Sequence, residues 1–148
     1  MMNIQAFTKK WDMLPPGGLI LCAVSGGRDS MALLHLLWEM GRKGGFQVHA
    51  AHFNHHLRPT ADRDQGFVTG WCGAKGIPLT CGGADAAAYA REVGTSLEDG
   101  ARQLRYRFLE ETADRVGAAR IATAHHREDN AETLLLHLLR GAGLRGLG

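Results

Sequence analysis

Six apolar residues in a row, Leu19-Ile20-Leu21-Cys22-Ala23-Val24, run straight into Ser25-Gly26-Gly27-Arg28-Asp29-Ser30. Apolar residues then recur at helical spacing through Met31, Leu34, Leu37 and Trp38 as far as Gly41. A short continuous apolar run is the pattern of a strand buried on both faces. Followed by a glycine turn and a helix, it opens a strand-turn-helix unit of the kind that builds parallel sheets.

The remainder of the chain repeats that alternation. Strands are predicted over Phe46 to Phe53, Pro78 to Cys81 and Ala119 to Ala124. Helices are predicted over Thr60 to Lys75, with Phe67, Val68, Trp71 and Cys72 on one side, and over Asp129 to Leu139. Ser96 fits an N-cap, with Glu98 and Asp99 in the first turn and a stripe of Leu97, Ala101, Leu104, Phe108 and Leu109 behind it. The expected fold is therefore α/β, a doubly wound parallel sheet with helices on both faces. The 148 residues suit one domain, read as 1–148.

Several classes are excluded or disfavoured early. A bilayer-spanning helix needs about 20 apolar residues, and the longest run here is the six above. The opening MMNIQAFTKKWDMLPP lacks the apolar centre of a secretory signal, which reads as cytoplasmic. Cys22, Cys72 and Cys81 form no CxxC pair, against a disulfide framework, a zinc ribbon or an iron–sulfur cluster. The net charge of +2 does not mark a nucleic-acid binder, although 13 of the 17 basic residues are arginine, whose planar fork suits phosphate and carboxylate.

Open α/β sheets bind ligands beyond the carboxyl ends of their strands, where the strand order reverses. That rule selects the segments 25–30, 54–60 and 124–129. In the first of them, Gly26 and Gly27 let backbone N–H groups approach a ligand closely, and the helix that follows adds its positive pole. Ser25 and Ser30 supply hydroxyls. Asp29 would repel a phosphate unless it caps the helix or holds Mg2+ bound to that phosphate. The turn is not a Walker loop, for it lacks the lysine and the spacing.

The segment SGGRDS, residues 25–30, resembles the pyrophosphatase loop of the PP-loop enzymes, which cleave ATP between its α and β phosphates. His52-Phe53-Asn54-His55-His56-Leu57-Arg58-Pro59, Ala101-Arg102 with Arg105-Tyr106, Ala124-His125-His126-Arg127-Glu128-Asp129-Asn130 and Arg140-Gly141-Ala142-Gly143 follow in order. Together they resemble the tRNA(Ile)-lysidine synthetase family from about residue 19 to the last residue. Glu128 and Asn130 stand where that family usually has Asp and Gln.

The resemblance implies a ligase with ATP and Mg2+ as cofactors and tRNA(Ile) and L-lysine as partners. It adenylates the wobble cytidine at C2, and lysine then displaces AMP. The near alternatives are a tRNA thiolase of the same loop family and an ATP-binding module without catalysis. The implied nucleotide contacts are Ser25, Gly26, Gly27, Arg28, Asp29, Ser30, His52, Asn54 and Arg140. The implied catalytic set is Asp29, Arg102, Arg105, His125 and Asp129, with Asp29 and Asp129 as magnesium ligands.

Read from the residues alone, Arg102, Arg105 and Tyr106 lie near one helix face that offers guanidinium groups to a phosphate or a carboxylate. The group around His125 and Asp129 reads as a metal site, a general base or a plain cap. Arg140 reads as a phosphate or tRNA contact, or as a partner of a helix dipole. Leu33, Leu34, Leu36, Leu134, Leu135 and Leu138 read as packing. The family's catalytic domain continues past the motifs seen here, so the domain reads as incomplete at its C-terminal end. A homodimer is compatible with the sequence.

Overall fold

The computed structural model describes residues 17–55, 61–127 and 130–140, with side chains described over 17–55 and 62–124. The elements in chain order are β1 (Leu19–Ala23), α1 (Arg28–Gly44), β2 (Gln47–Asn54), α2 (Ala61–Lys75), β3 (Leu79–Gly83), α3 (Ala86–Val93), α4 (Leu97–Val116), β4 (Arg120–Arg127) and β5 (Asn130–Arg140). The sheet runs β3-β2-β1-β4-β5. β1 is parallel to both β2 and β4, and β2 is parallel to β3. The order steps outward from β1 to β3 and then returns to the other side of β1, so the reversal lies between β1 and β4.

Alternate residues of β1 feed two cores, as a strand covered on both faces requires. Ile20 and Cys22 pack with Leu33, Leu34 and Leu37 of α1 and with Val68 and Cys72 of α2. Leu21 points the other way and packs with Ala51, Ile121 and, from α4, Leu109 and Ala113. The doubly wound arrangement follows. Within α2, Val68 and Cys72 are buried as the spacing predicts, whereas Phe67 is 54% exposed.

Helix α1 begins at Arg28 on Gly27 as N-cap, two residues before Ser30. α4 is capped as its sequence predicts, with the Ser96 hydroxyl accepting from Asp99 N at 3.1 Å. α3 has no counterpart among the predicted elements. Asp85 caps it by accepting from Ala88 N at 3.0 Å, and Gly94 closes it with φ +72°. It packs on α4 through Ala90 against Gly100, and Tyr89 joins Gln103 and Arg107 by hydrogen bonds of 3.0 and 3.1 Å.

The larger departure is residues 130–140. The helix predicted over Asp129 to Leu139 is replaced by β5, antiparallel to β4, with Ala122 opposite Leu138 and His125 opposite Leu135. Leu134-Leu135-Leu136 and Leu138-Leu139 are nearly continuous, and such a run satisfies the template of a strand as well as that of a helix. β4 is correspondingly longer than predicted and carries His125 and His126 inside the strand. Leu33 and Leu34 are fully buried and Leu36 partly so, as packing residues should be.

Candidate functional site

The turn after β1 is held by a closed set of hydrogen bonds. Gly27 N donates to Ser25 Oγ at 3.2 Å, and Ser30 Oγ donates to the Gly27 carbonyl at 3.1 Å. Ser30 has one proton and gives it to Gly27, so in the 3.1 Å contact between the two hydroxyls Ser25 is the donor. Ser30 Oγ also accepts from Ser25 N at 3.0 Å. The two serines expected to face a ligand thus also build the turn that presents it. Asp29 lies within the first turn of α1 and is not its cap. Gly27 brings no side-chain acceptor to that first turn, which leaves the positive pole of α1 for an anion.

Gly26 adopts φ +91°, a conformation that favours glycine. It lies against the start of α2, close enough that an added Cβ would stand 3.1 Å from Asp64 Cβ.

A cavity of about 270 Å3 opens beside the turn, lined by Ser25 and Ser30, by His52, Asn54 and His55 at the end of β2, by Asp64, and by Arg105 of α4. It sits at the carboxyl ends of the strands next to the reversal in strand order. His52 is 3% exposed and its Nδ1 lies 2.8 Å from the Val24 carbonyl. Asn54 donates to Asp62 Oδ1 at 3.0 Å and to Gln65 Oε1 at 3.2 Å, tying β2 to α2.

Two buried polar atoms among the cavity's residues make no hydrogen bond, His55 Nδ1 and Arg105 Nε. A buried donor without a partner is costly, so an orphaned pair beside a cavity points to a ligand that completes it. His55 stacks edge-on to Phe53 at 4.8 Å. Burial, then the Arg105 guanidinium, then His52 hold the His55 ring below its usual titration range, so at neutral pH it is an uncharged imidazole. Arg105 lies over the Tyr106 ring at 5.3 Å.

The other expected site residues fall elsewhere. Arg102 is 58% exposed, pairs with Asp99 at 3.7 Å and does not line the cavity. Arg28 is exposed on the first turn of α1. The antiparallel return of β5 sets the backbone of Arg140 opposite Arg120, which in turn pairs with Ile20 near the start of β1. His56, Leu57, Arg58, Pro59, Glu128 and Asp129 lie outside the described residues.

Among the described residues no group of three His, Cys, Asp or Glu side chains is arranged to hold a metal. A magnesium ion would fit Asp29 only together with ligand phosphates, which is how this ion is commonly held. Cys22 and Cys72 are buried and Cys81 is exposed. No helix among the described residues is long and apolar enough to cross a membrane. Asp64 is not singled out in the sequence, and His55 stands there within the 52–59 motif with no nucleotide or catalytic role assigned to it. Asp64 stands in a polar helix start, and only the fold brings His55 to Arg105.

A strand-turn-helix anion site at the sheet reversal, with an arginine across the cavity, defines a nucleotide-binding α/β domain. The family model described as PP-loop domain matches residues 2–148, and the chain belongs to that family. It is 43% identical over 146 residues to a tRNA(Ile)-lysidine synthase of Dehalococcoides mccartyi (strain CBDB1), covering 98% of this chain and 31% of that protein. It is 42% identical over 129 residues to the tRNA(Ile)-lysidine synthase of Petrotoga mobilis (strain DSM 10674 / SJ95), covering 87% of this chain and 42% of that protein. The chain thus spans less than half the length of either relative. In fold it is similar to the U34-tRNA thiolase NcsA from Methanococcus maripaludis with its 4Fe-4S cluster, at a TM-score of 0.64 and 16% identity over 81% of this chain and 44% of that one.

Proposed function

We propose that this chain is the ATP-handling domain of a longer tRNA(Ile)-lysidine synthetase. The observation that carries the reading is the Ser25–Ser30 turn opening onto the cavity that holds the orphaned Arg105 Nε and His55 Nδ1.

In this reading the turn amides and the pole of α1 grip the β and γ phosphates of ATP. Arg105 meets the charge that develops on the other side of the cavity, on a phosphate or on the lysine carboxylate. The C2 oxygen of the wobble cytidine attacks the α phosphorus, and the bond to the bridging oxygen breaks to release pyrophosphate. The neutral amine of lysine then attacks C2, loses a proton and expels AMP. Asp29 together with the ligand phosphates would hold magnesium, whose charge would offset that of the leaving pyrophosphate. Asp129 as a second magnesium ligand and His125 as a general base rest on the sequence resemblance.

The lysidine assignment draws on the two relatives named above, and so do the partners tRNA(Ile) and lysine. It is tested with the whole protein, ATP, lysine and tRNA carrying a CAU anticodon. Pyrophosphate release should require the tRNA, and lysine should appear covalently on the cytidine. Release that ignores both lysine and tRNA would overturn the reading in favour of another PP-loop activity.

A further inference from the structure

We infer that His52 is a positioning residue for the nucleotide turn, acting through the Val24–Ser25 peptide rather than by touching the nucleotide. The inference rests on the function proposed above only in taking ATP as the ligand of the turn.

That peptide unit is fixed from both sides. Its carbonyl, on Val24, receives His52 Nδ1 at 2.8 Å, and its N–H, on Ser25, donates to Ser30 Oγ at 3.0 Å. A carbonyl only accepts, so Nδ1 carries the proton and the tautomer is set. One residue earlier, Val24 N donates to the Ala51 carbonyl at 2.8 Å. Both polar groups of Val24 are therefore held by consecutive residues of β2, although β1 itself ends at Ala23.

The chain leaves the sheet at this peptide, and the amides that would grip phosphate come directly after it. Rotation about the peptide would take Ser25 N off Ser30 Oγ and open the hydroxyl ring that shapes the turn. Val24 and His52 are 4% and 3% exposed, so water does not replace the imidazole readily. The ring thus carries the position of β2 into the turn.

His52 also lines the cavity, which makes direct contact with nucleotide the rival account. The two accounts use different nitrogens. Positioning needs Nδ1–H, which an asparagine amide can imitate, whereas contact across the cavity would use Nε2, whose place a glutamine amide approximates.

The experiment measures the affinity of the whole protein for α,β-methylene ATP with magnesium in His52→Asn, His52→Gln and His52→Ala. Positioning predicts that His52→Asn stays within about threefold of the parent, while Gln and Ala weaken binding about tenfold, the worth of one buried hydrogen bond. The reverse order, with Gln retained and Asn lost, would overturn the inference, as would parent-like affinity in all three. Should His52→Ala not fold, the Asn and Gln variants decide alone.

A second measurement is the double-mutant cycle of His52→Asn or His52→Gln with Ser30→Ala. Because both side chains hold one peptide, the Gln variant should be strongly non-additive with Ser30→Ala, whereas additivity would argue against it. These affinities are independent of which acceptor receives AMP. Failure of the lysidine assignment would appear in the lysine and tRNA dependence of the parent and leave this ordering unchanged.

Discussion

Gly26 and Asp64 meet across 38 residues of sequence, with the backbone of the turn so near the start of α2 that a methyl group on Gly26 would lie 3.1 Å from the Asp64 Cβ. With φ at +91°, that residue is also in a conformation other side chains adopt at a cost of about 1–2 kcal/mol. Gly26→Ala should therefore destabilise the protein by about 1–3 kcal/mol and weaken ATP binding at least tenfold, because strain and contact both act on the turn. Denaturant midpoints and nucleotide titration check it. A variant as stable as the parent and equal in affinity would show that the turn does not hold the nucleotide.

The two arginines of the α4 face should separate in function. Arg105 borders the cavity with its Nε unpartnered, while Arg102 forms an exposed pair with Asp99. Exposed pairs contribute well under 1 kcal/mol. Arg105→Ala is expected to lower pyrophosphate release about a hundredfold or more, the scale of losing a charged stabilising donor. Arg102→Ala is expected to stay within about threefold in ATP affinity and release. Comparable losses in both would mean that the ligand reaches beyond the cavity along α4.

Much of this is legible in the sequence. The apolar run of β1, the glycine turn and the Ser96 cap each satisfy one local rule with no competitor, and each stands where that rule puts it. α3 escapes because its eight residues make only about two turns, too little pattern to read a helix from, although Asp85 three residues before Ala88 and the closing Gly94 are usable signals. The 130–140 segment escapes for the opposite reason, since its leucines satisfy two templates at once. At the site, SGGRDS by itself reads as a turn suited to an anion. The approach of His55 to Arg105 has no local signature, because the two residues stand 50 apart in the chain. Which of two adjacent arginines faces the cavity depends on how α4 sits on the sheet, and helical spacing alone leaves that undecided.

Gly82 in β3 tests how the second core supports the site. A Cβ there would stand 2.5 Å from Phe108 Cε1, and the Phe108 ring in turn lies 5.2 Å from Phe53, which stacks on His55. Gly82→Ala should cost about 1–3 kcal/mol as the ring is displaced. Gly82→Ala with Phe108→Leu should recover part of that loss, because the shorter side chain vacates the space. Thermal or denaturant unfolding decides, and an additive double variant would mean that the two positions do not share the strain.

The thiols should differ sharply in reactivity. Burial raises Cys22 well above its ordinary value, with Cys72 adding to the effect, and burial followed by Cys81 raises Cys72. Cys81 alone is exposed. Iodoacetamide at pH 8 should modify one thiol per folded chain and three after unfolding, since the thiolate is the reactive form. Rapid labelling of Cys22 or Cys72 in the native state would contradict the packing of the first core and reopen a sulfur-transfer reading.

Two histidines make stability depend on pH near neutrality. His55 is held below its ordinary value of 6.5 by burial, Arg105 and His52, and His49 by burial and Arg115. In the unfolded chain both regain that ordinary value, so below it the unfolded state binds more protons than the folded one. Stability then rises with pH across this window. The contribution is complete above about pH 6.5 and is lost as the pH falls through the lower folded-state values. The denaturant midpoint should accordingly drop between pH 7.5 and 5.5, above the range in which most carboxylates titrate. His55→Phe keeps a ring against Phe53 but removes the titrating group, and it should flatten part of that drop. A midpoint that stays level or rises on acidification would mean that His55 and His49 take up protons freely in the folded state, and that the cavity is wetter than its orphaned donors imply.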